Sequence, residues 1–352
     1  MNFCSDNVTG ASPEILEALC QANADSVPAY GEDTLTAQVG ATLKEIFETD
    51  LAFFLVATGT SANALSLSVM APPFGAVYCH HEAHVEVDEC GAPEFYTGGA
   101  KLVNLTGDHG KLTVDRIKGA LAEAHQGVVH RVQPAAITLS QATEAGTTYR
   151  AAEVAAIAAA GDRYGVGLHM DGARFANALC FLKASPAEIT WRAGVDILSF
   201  GATKNGALAA EAVVIFDKNL AANFEFRRKR GGHLWSKMRF LAAQFDAYLK
   251  NDLWLKNAAH ANAMATDLAE GLARVPGSKL AHPVEANEVF VDLPEAVIRG
   301  LVADGIPIRR WLGEDRTLLR LVTAFNTKVT DVAAFIERAQ RHARSVRGQQ
   351  LD

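Results

Sequence analysis

The sequence predicts an α/β protein, with a mostly parallel central sheet in a large domain and a small α+β domain toward the C-terminus. Short apolar runs alternate with helical patterns from about residue 51 to residue 200, the arrangement of βαβ units. Small and polar residues follow several of those runs, at the strand ends where α/β proteins place their chemistry. Size agrees, since 352 residues exceed what one hydrophobic core usually supports, and a 49% hydrophobic content can fill a second.

The chain opens on a polar, turn-rich arm, Ser5-Asp6-Asn7-Val8-Thr9-Gly10-Ala11. Ser12-Pro13-Glu14-Ile15 then reads as an N-cap, a proline at the first helical position and a helix running to about Ala22. After a loop over 28–33, Leu35, Val39, Leu43, Ile46 and Phe47 give a second helix, 34–47, a single apolar stripe. Residues 51–56 read as an apolar strand. Alternation suggests a strand at 99–105, and 115–124 reads as a surface helix. The apolar run 135–140 predicts a buried strand, alanine-rich 151–163 a helix, 165–170 a strand, and 195–198 another. A long helical stretch is expected from about Lys237 to Leu272, with Phe240, Leu241, Phe245 and Leu249 on one face. Past a turn at 276–278, strands at 288–293 and 318–322 enclose a helix at 298–304. The boundary falls at residue 245: 1–245 for the arm and large domain, 246–352 for the small one.

A formal net charge of −7 argues against a dedicated nucleic-acid binder. Five cysteines, an odd number with no CxxC pair, suit a reducing compartment better than a disulfide framework. The first residues lack a basic and apolar leader pattern, and no apolar run reaches the ~20 residues that cross a bilayer. These features predict a cytoplasmic protein with neither a nucleic-acid nor a membrane partner.

Three polar sites stand at strand ends. Ala57-Thr58-Gly59-Thr60-Ser61 lies between a strand and a helix, where free N–H groups and the macrodipole favour an anion. It is neither a P-loop nor a GxGxxG fingerprint, and a plain helix cap explains it equally well. Asp171-Gly172-Ala173-Arg174 ends the strand at 165–170, with a local Asp171–Arg174 salt bridge as the competing reading. Lys204 sits among small residues in Ser199-Phe200-Gly201-Ala202-Thr203-Lys204-Asn205-Gly206; alone it reads as a solvated loop residue. Together, an anion cradle, a carboxylate for a pyridinium nitrogen and a Schiff-base lysine are the fittings of pyridoxal 5′-phosphate. His80 and His84 have the spacing of a helical metal pair, but His81 occupies the glutamate position of HExxH, so no metal is expected. Arg320, inside a strand, needs a partner, and an amino-acid carboxylate is one.

The sequence resembles the fold-type I pyridoxal-phosphate enzymes of the threonine aldolase/β-eliminating lyase group, nearest to low-specificity L-threonine and L-phenylserine aldolases. The resemblance rests on Ser-Asp-Asn-Val-Thr at 5–9, Tyr-Gly-Glu-Asp at 30–33, Thr-Gly-Thr-Ser-Ala-Asn at 58–63, His84, His-Met-Asp-Gly-Ala-Arg at 169–174, Ser-Phe-Gly-Ala-Thr-Lys-Asn-Gly at 199–206 and Arg-Leu-Val-Thr at 320–323. It implies the fold-type I transferase-like architecture. It also implies that Lys204 binds the cofactor covalently, Asp171 pairs with the pyridine nitrogen and His84 stacks on the ring, making these the catalytic residues. Gly59, Thr60 and Ser61 would hold the phosphate, and Arg174 would face both the cofactor and the substrate carboxylate. Arg320 would clamp that carboxylate, and Ser5 and Tyr30 would line the substrate site, Tyr30 from a neighbouring subunit.

The implied reaction is retro-aldol cleavage of L-threonine, L-allo-threonine or L-phenylserine to glycine and an aldehyde, by a homo-oligomer assembled as a dimer of dimers. A β-eliminating lyase or aminotransferase shares the same cofactor fittings, and a non-catalytic binding protein is the remaining alternative. Two departures stand out. The loop Gln141-Ala142-Thr143-Glu144-Ala145-Gly146 replaces an Asn-Thr-His-Asn-Gly loop common in the family, leaving His84, Glu144 or a water to take the β-hydroxyl proton. In 227–237, Lys229, Arg230 and Lys237 all compete for a phosphate contact across a subunit boundary.

Overall fold

The computed structural model describes residues 1–311, 313 and 316–349, with side chains to residue 345. Seven strands form the main sheet: β1 (Ala52–Val56), β2 (Gly75–His80), β3 (Lys101–Leu105), β4 (Gln133–Ser140), β5 (Gly167–Gly172), β6 (Ile197–Gly201) and β7 (Glu211–Ile215). Their order is β1-β7-β6-β5-β4-β2-β3. The pairs from β6 through β3 are parallel, and β7 runs antiparallel to both β1 and β6. The α/β expectation therefore holds, with one reversed strand. The run Glu211–Ile215 was not anticipated, because an apolar run carries no sign of its direction or its partners.

Both faces of the sheet are covered, as parallel strands require. Alternation sends Ala212 and Val214 of β7 into a core with Val39, Leu43, Phe47, Leu168 and Phe245, while Val213 and Ile215 pack with Val56, Leu65 and Ile197. Phe200, near the end of β6, is fully buried and stands edge-on to Phe175, Phe245 and Trp254 at centroid distances of 5.5, 5.7 and 5.4 Å. Such T-shaped contacts are the favoured aromatic geometry, and they fix the strand four residues ahead of Lys204.

A second sheet holds β8 (Lys279–Leu280), β9 (Glu288–Asp292) and β10 (Leu318–Val322), all antiparallel, in the order β10-β9-β8. Its core joins Leu268, Val289, Val291, Leu301 and Phe335 to Phe3 of the N-terminal arm, whose ring meets Phe335 at 5.3 Å. Phe3 also accepts the Val322 N–H through its carbonyl at 2.7 Å. The arm is thus a built part of this second core.

The helices at Pro13–Ala22 and Thr34–Phe47 lie where the sequence puts them. The stretch expected as one helix from Lys237 to Leu272 is two, Arg239–Leu249 and Leu253–Leu272. Asn251 and Asp252 between them take φ of 55° and 57°, a left-handed conformation that Asn and Asp tolerate and a helix interior does not. The helix expected at 298–304 starts earlier, at Glu295, and Val329–Gln349 adds a helix that periodicity did not flag.

Candidate active site

Lys204 lies in the turn Thr203–Asn205 that follows β6. Asn205 is anchored through its side-chain N–H groups, which donate to Tyr248 Oη and to the Trp254 carbonyl, each at 2.8 Å. The next residue, Gly206, has φ of 112° and presses against Ser12 Oγ and Asn257, leaving no room for a Cβ. The small residues around the lysine are therefore demanded by the turn, not by solvent exposure.

Asp171 is the last residue but one of β5, beside Ser140 of β4 and Ser199 of β6. It is 6% exposed. Its carboxylate accepts from Asn63 Nδ2 at 2.8 Å and from the Ala173 N–H at 2.9 Å. Burial pushes its pKa up, but His84, Lys204 and the Ala173 N–H outweigh that, holding the carboxyl below its ordinary value. The second Asn63 N–H donates to Glu89 Oε1 at 2.8 Å, and the same oxygen bonds His84 Nδ1 at 2.9 Å. That bond raises the His84 pKa against the opposing effect of desolvation, and Asp171 adds to it. Burial also pushes Glu89 up, so the pair shares a proton that the imidazole keeps to higher pH than usual. Asn63 and Glu89 are neighbours of Asp171 and His84 that the sequence did not single out; Asn63 lies within the 58–63 stretch, whereas Glu89 had no signal.

Gly59 and Thr60 open the helix Gly59–Met70, directly after β1. Thr58 is its N-cap: its Oγ1 accepts the Ser61 N–H at 3.1 Å, and Ser61 Oγ donates back to the Thr58 carbonyl at 2.8 Å. Ser61 is thereby committed to the cap, while the Gly59 and Thr60 N–H groups carry no bond among the described residues. A Cβ built on Gly59 would meet nothing within 4 Å, so open space lies over this first turn. The cap uses the Ser61 N–H, and the Gly59 and Thr60 N–H groups are left for another acceptor.

The two arginines are joined through acids. Arg174 is 8% exposed and grips Asp6 with Nε at 2.8 Å and Nη2 at 3.0 Å. Its Nη1 stands 3.4 Å from Glu288 Oε2, while Arg320 places Nε and Nη2 each 2.9 Å from Glu288 Oε1. The Arg320 guanidinium also lies 5.3 Å from the centroid of the Trp311 ring. The local Asp171–Arg174 salt bridge is not formed: Asp171 faces Asn63 and Ala173, and Arg174 faces Asp6 and Glu288. Asp6 and Glu288, 1% exposed each, are distant in sequence from the arginines they hold, which is why spacing alone did not pair them.

Ser5 accepts the Asn7 N–H at 3.1 Å and so shapes the turn that presents Asp6. Tyr30 is 48% exposed and has Lys229 Nζ 4.8 Å from its ring centroid; none of its contacts within this chain reaches Lys204. Arg228 is buried against Phe54 and the Leu55 carbonyl, whereas Arg227 and Arg230 line a surface pocket with Phe95 and Tyr96. His80 closes β2 and His84 opens a short helix after a turn, so the two do not share a helical face. The ring nitrogens of His80 meet the Gly107 carbonyl at 3.0 Å and the Glu82 N–H at 3.2 Å.

Two further carboxyls border the site. Glu144 accepts from Ser140 Oγ at 2.6 Å and from the His84 N–H at 2.9 Å, both on Oε1. Glu211 starts β7 opposite Gly201 and Val56 and hydrogen-bonds Thr203. Burial pushes each up to about 7. Glu211 was not anticipated, since a carboxylate beginning a strand looks like a solvated edge residue.

The sequence profile of the β-eliminating lyase family matches residues 2–296. The low-specificity L-threonine aldolase of Pseudomonas aeruginosa is 44% identical over 345 residues, spanning 98% of this chain and 96% of that protein. A solved threonine aldolase of Leishmania major superposes with a TM-score of 0.90 at 30% identity, covering 97% of this chain and 99% of that one. Serine palmitoyltransferase of Sphingomonas wittichii, at 16% identity and a TM-score of 0.71 over 98% of this chain and 87% of that one, shares the fold alone. With the lysine, the aspartate and the helix N-terminus at the same end of its seven-stranded sheet, the chain belongs to the β-eliminating lyase family.

Proposed function

We propose that this protein is a pyridoxal-phosphate-dependent aldehyde-lyase that cleaves L-threonine, L-allo-threonine and L-phenylserine to glycine and an aldehyde. The observation that carries the reading is Asp171, a buried carboxylate kept ionised by its neighbours, one strand away from Lys204. Asn63 and the Ala173 N–H each donate to one of its oxygens, and an ionised carboxylate has further lone pairs to accept from a protonated pyridine nitrogen. The residues fit the cofactor: Asn63 Oδ1, Glu89 Oε2 and Glu144 Oε2 are buried without a partner among the described residues, and the first turn at Gly59 offers N–H groups beneath open space. The bound cofactor supplies an electron sink for the bond broken at Cα.

Lys204 would hold that group through its amine, Asp171 would keep the ring nitrogen protonated, and Gly59 and Thr60 would bind the phosphate, with Ser61 acting through the Thr58 cap. His84, fixed at Nδ1 by Glu89, would lay its ring on one face. Arg174 and Arg320 would bind the substrate carboxylate. Each already has a carboxylate partner, so the substrate binds by sharing Arg174 with Asp6 and Glu288, and Arg320 with Glu288. Orientation is the main contribution: a carboxylate held at two arginines leaves the Cα–Cβ bond able to stand perpendicular to the ring.

The same reading takes the protein as a cytoplasmic homo-oligomer, a dimer of dimers. Support comes from Phe95 and Phe226, which are 79% and 75% exposed; Phe95 borders the Arg227 and Arg230 pocket. Among the described residues no helix is long and apolar enough to cross a membrane.

The test is incubation of the cofactor-loaded protein with each of the three amino acids, assaying aldehyde and glycine alongside 2-oxo acid and ammonia. Equal amounts of aldehyde and glycine are expected. A 2-oxo acid without aldehyde would instead assign β-elimination or amino transfer.

A further inference from the structure

Cleaving a β-hydroxy amino acid requires a base for the hydroxyl proton, and the family's histidine is missing from the loop after β4. His84 is poorly suited. Its Nδ1 is engaged by Glu89 at 2.9 Å, and that contact favours the protonated ring. Asp171 is held by Asn63 and Ala173 and would be taken up by the ring nitrogen of the bound cofactor. Glu89 also takes its donors, Asn63 and His84, on Oε1, but its side chain is fully buried and ion-paired with the His84 ring.

Glu144 stands differently. Ser140 and the His84 N–H both donate to Oε1, which fixes the carboxyl and leaves Oε2 buried with no donor among the described residues. Ser140 is the β4 residue in register with Asp171, and His84 supplies the ring expected to stack on the cofactor. The Glu144 carboxyl is therefore pinned between the residues that would contact the cofactor's nitrogen and its face. It is also near enough to Arg174 for their charges to interact. An amino acid with its carboxylate at Arg174 and its Cα above the ring would bring its β-substituent toward Glu144.

We propose that Glu144 is the catalytic base, its Oε2 accepting the β-hydroxyl proton of the substrate. This rests on the aldolase reading above. As the O–H bond breaks, its electron pair becomes the second bond of the aldehyde carbonyl, and the Cα–Cβ pair remains with the glycine fragment. A proton then returns to Cα to complete glycine, and Glu144 releases its own to solvent, so the proton count closes.

The environment suits a base working near neutrality. Burial dominates in pushing the carboxyl up to about 7, with the Asp171 charge adding to it and the Ser140 and His84 hydrogen bonds opposing. The other ionisable groups facing it are Arg174, Cys79 and Tyr149; burial raises the Cys79 thiol and the Tyr149 phenol, so both stay neutral.

The experiment compares wild-type holoenzyme with Glu144→Gln and Glu144→Asp. Four readouts are taken: cleavage rate against pH, exchange of the glycine α-proton for deuterium by NMR, cofactor affinity by fluorescence, and thermal unfolding. Gln keeps an oxygen for Ser140 and His84 but cannot take a proton. Glu144→Gln should lower kcat for cleavage by about 10²-fold to 10⁴-fold and abolish the acidic limb of the pH profile. Glycine exchange, which involves no hydroxyl, and cofactor affinity should stay within about two-fold, since neither draws on the base step. Glu144→Asp should restore part of the rate with a displaced limb. Retained cleavage in Glu144→Gln, or equal loss of cleavage, exchange and cofactor affinity, would overturn the assignment. Wild-type protein that releases no aldehyde would overturn the aldolase reading itself.

Discussion

Arg174 and Asp6, 168 residues apart in the chain, form a two-point ion pair at 2.8 and 3.0 Å with both side chains buried. The arm that starts the protein is thus locked onto the residue that follows β5, and Asn287 donates to the same Asp6 oxygen at 3.1 Å. Through these contacts and Glu288 one arginine ties together the arm, the large sheet and the central strand of the small one.

Replacing Asp6 by Asn leaves Arg174 buried with one acid fewer. Loss of a partner from a buried pair typically costs about 3 kcal/mol or more, and urea denaturation should show this at neutral pH. Burial pushes the Asp6 pKa up, but Arg174 and Lys204 overcome it and hold it below 3.8. A depressed carboxyl stabilises the fold above its unfolded pKa and loses that contribution as pH falls through the folded one. The difference between wild type and Asp6→Asn should therefore shrink in acid.

Lys204→Ala should no longer form a borohydride-stable adduct with pyridoxal phosphate, as mass spectrometry of the tryptic peptide would show. Asp171→Asn should keep the adduct but lose about 10²-fold or more in cleavage, because an amide cannot keep the pyridine nitrogen protonated. An adduct at another lysine, or full activity in Asp171→Asn, would displace these two residues from the roles proposed for them.

Glu89→Gln removes the acceptor that raises the His84 pKa. NMR titration of the His84 ring should find its midpoint lowered toward the ordinary 6.5. A raised histidine adds stability below its unfolded pKa and loses it as pH rises through the folded one. Glu89→Gln should therefore cost most stability on the acid side of that midpoint.

Glu211 points the other way. Burial pushes its carboxyl up from 4.5 to about 7, so the folded protein binds a proton there that the unfolded chain has already lost. Stability must fall as pH rises through that window, by on the order of 3 kcal/mol from this group. Glu211→Gln should flatten the decline between about pH 5 and about pH 8, measured by denaturant midpoints. An unchanged slope would mean that Glu211 is ionised in the folded state.

Much of this was legible in one dimension. Apolar runs ending in small polar residues predicted the mostly parallel sheet and put Gly59, Thr60, Asp171 and Lys204 at or just past strand ends, where they lie, because strand-to-helix turns have local chemistry that spacing records. Periodicity also placed the helix at Thr34–Phe47 and the strand Leu318–Val322. It did not foresee the break at Asn251 and Asp252, nor that β7 inserts in reverse between β1 and β6, since direction and neighbour are properties of pairing and not of a run. The least legible part was the set of carboxylates behind the site. Asp6 on Arg174 and Glu288 shared by two arginines join residues from separate elements, and Glu89 on His84 and Glu144 on Ser140, though close in sequence, are set by how the chain turns after each element. Burial raises Glu89 and Glu144, while Arg174 and Lys204 hold Asp6 low, and those environments exist only once the chain has folded.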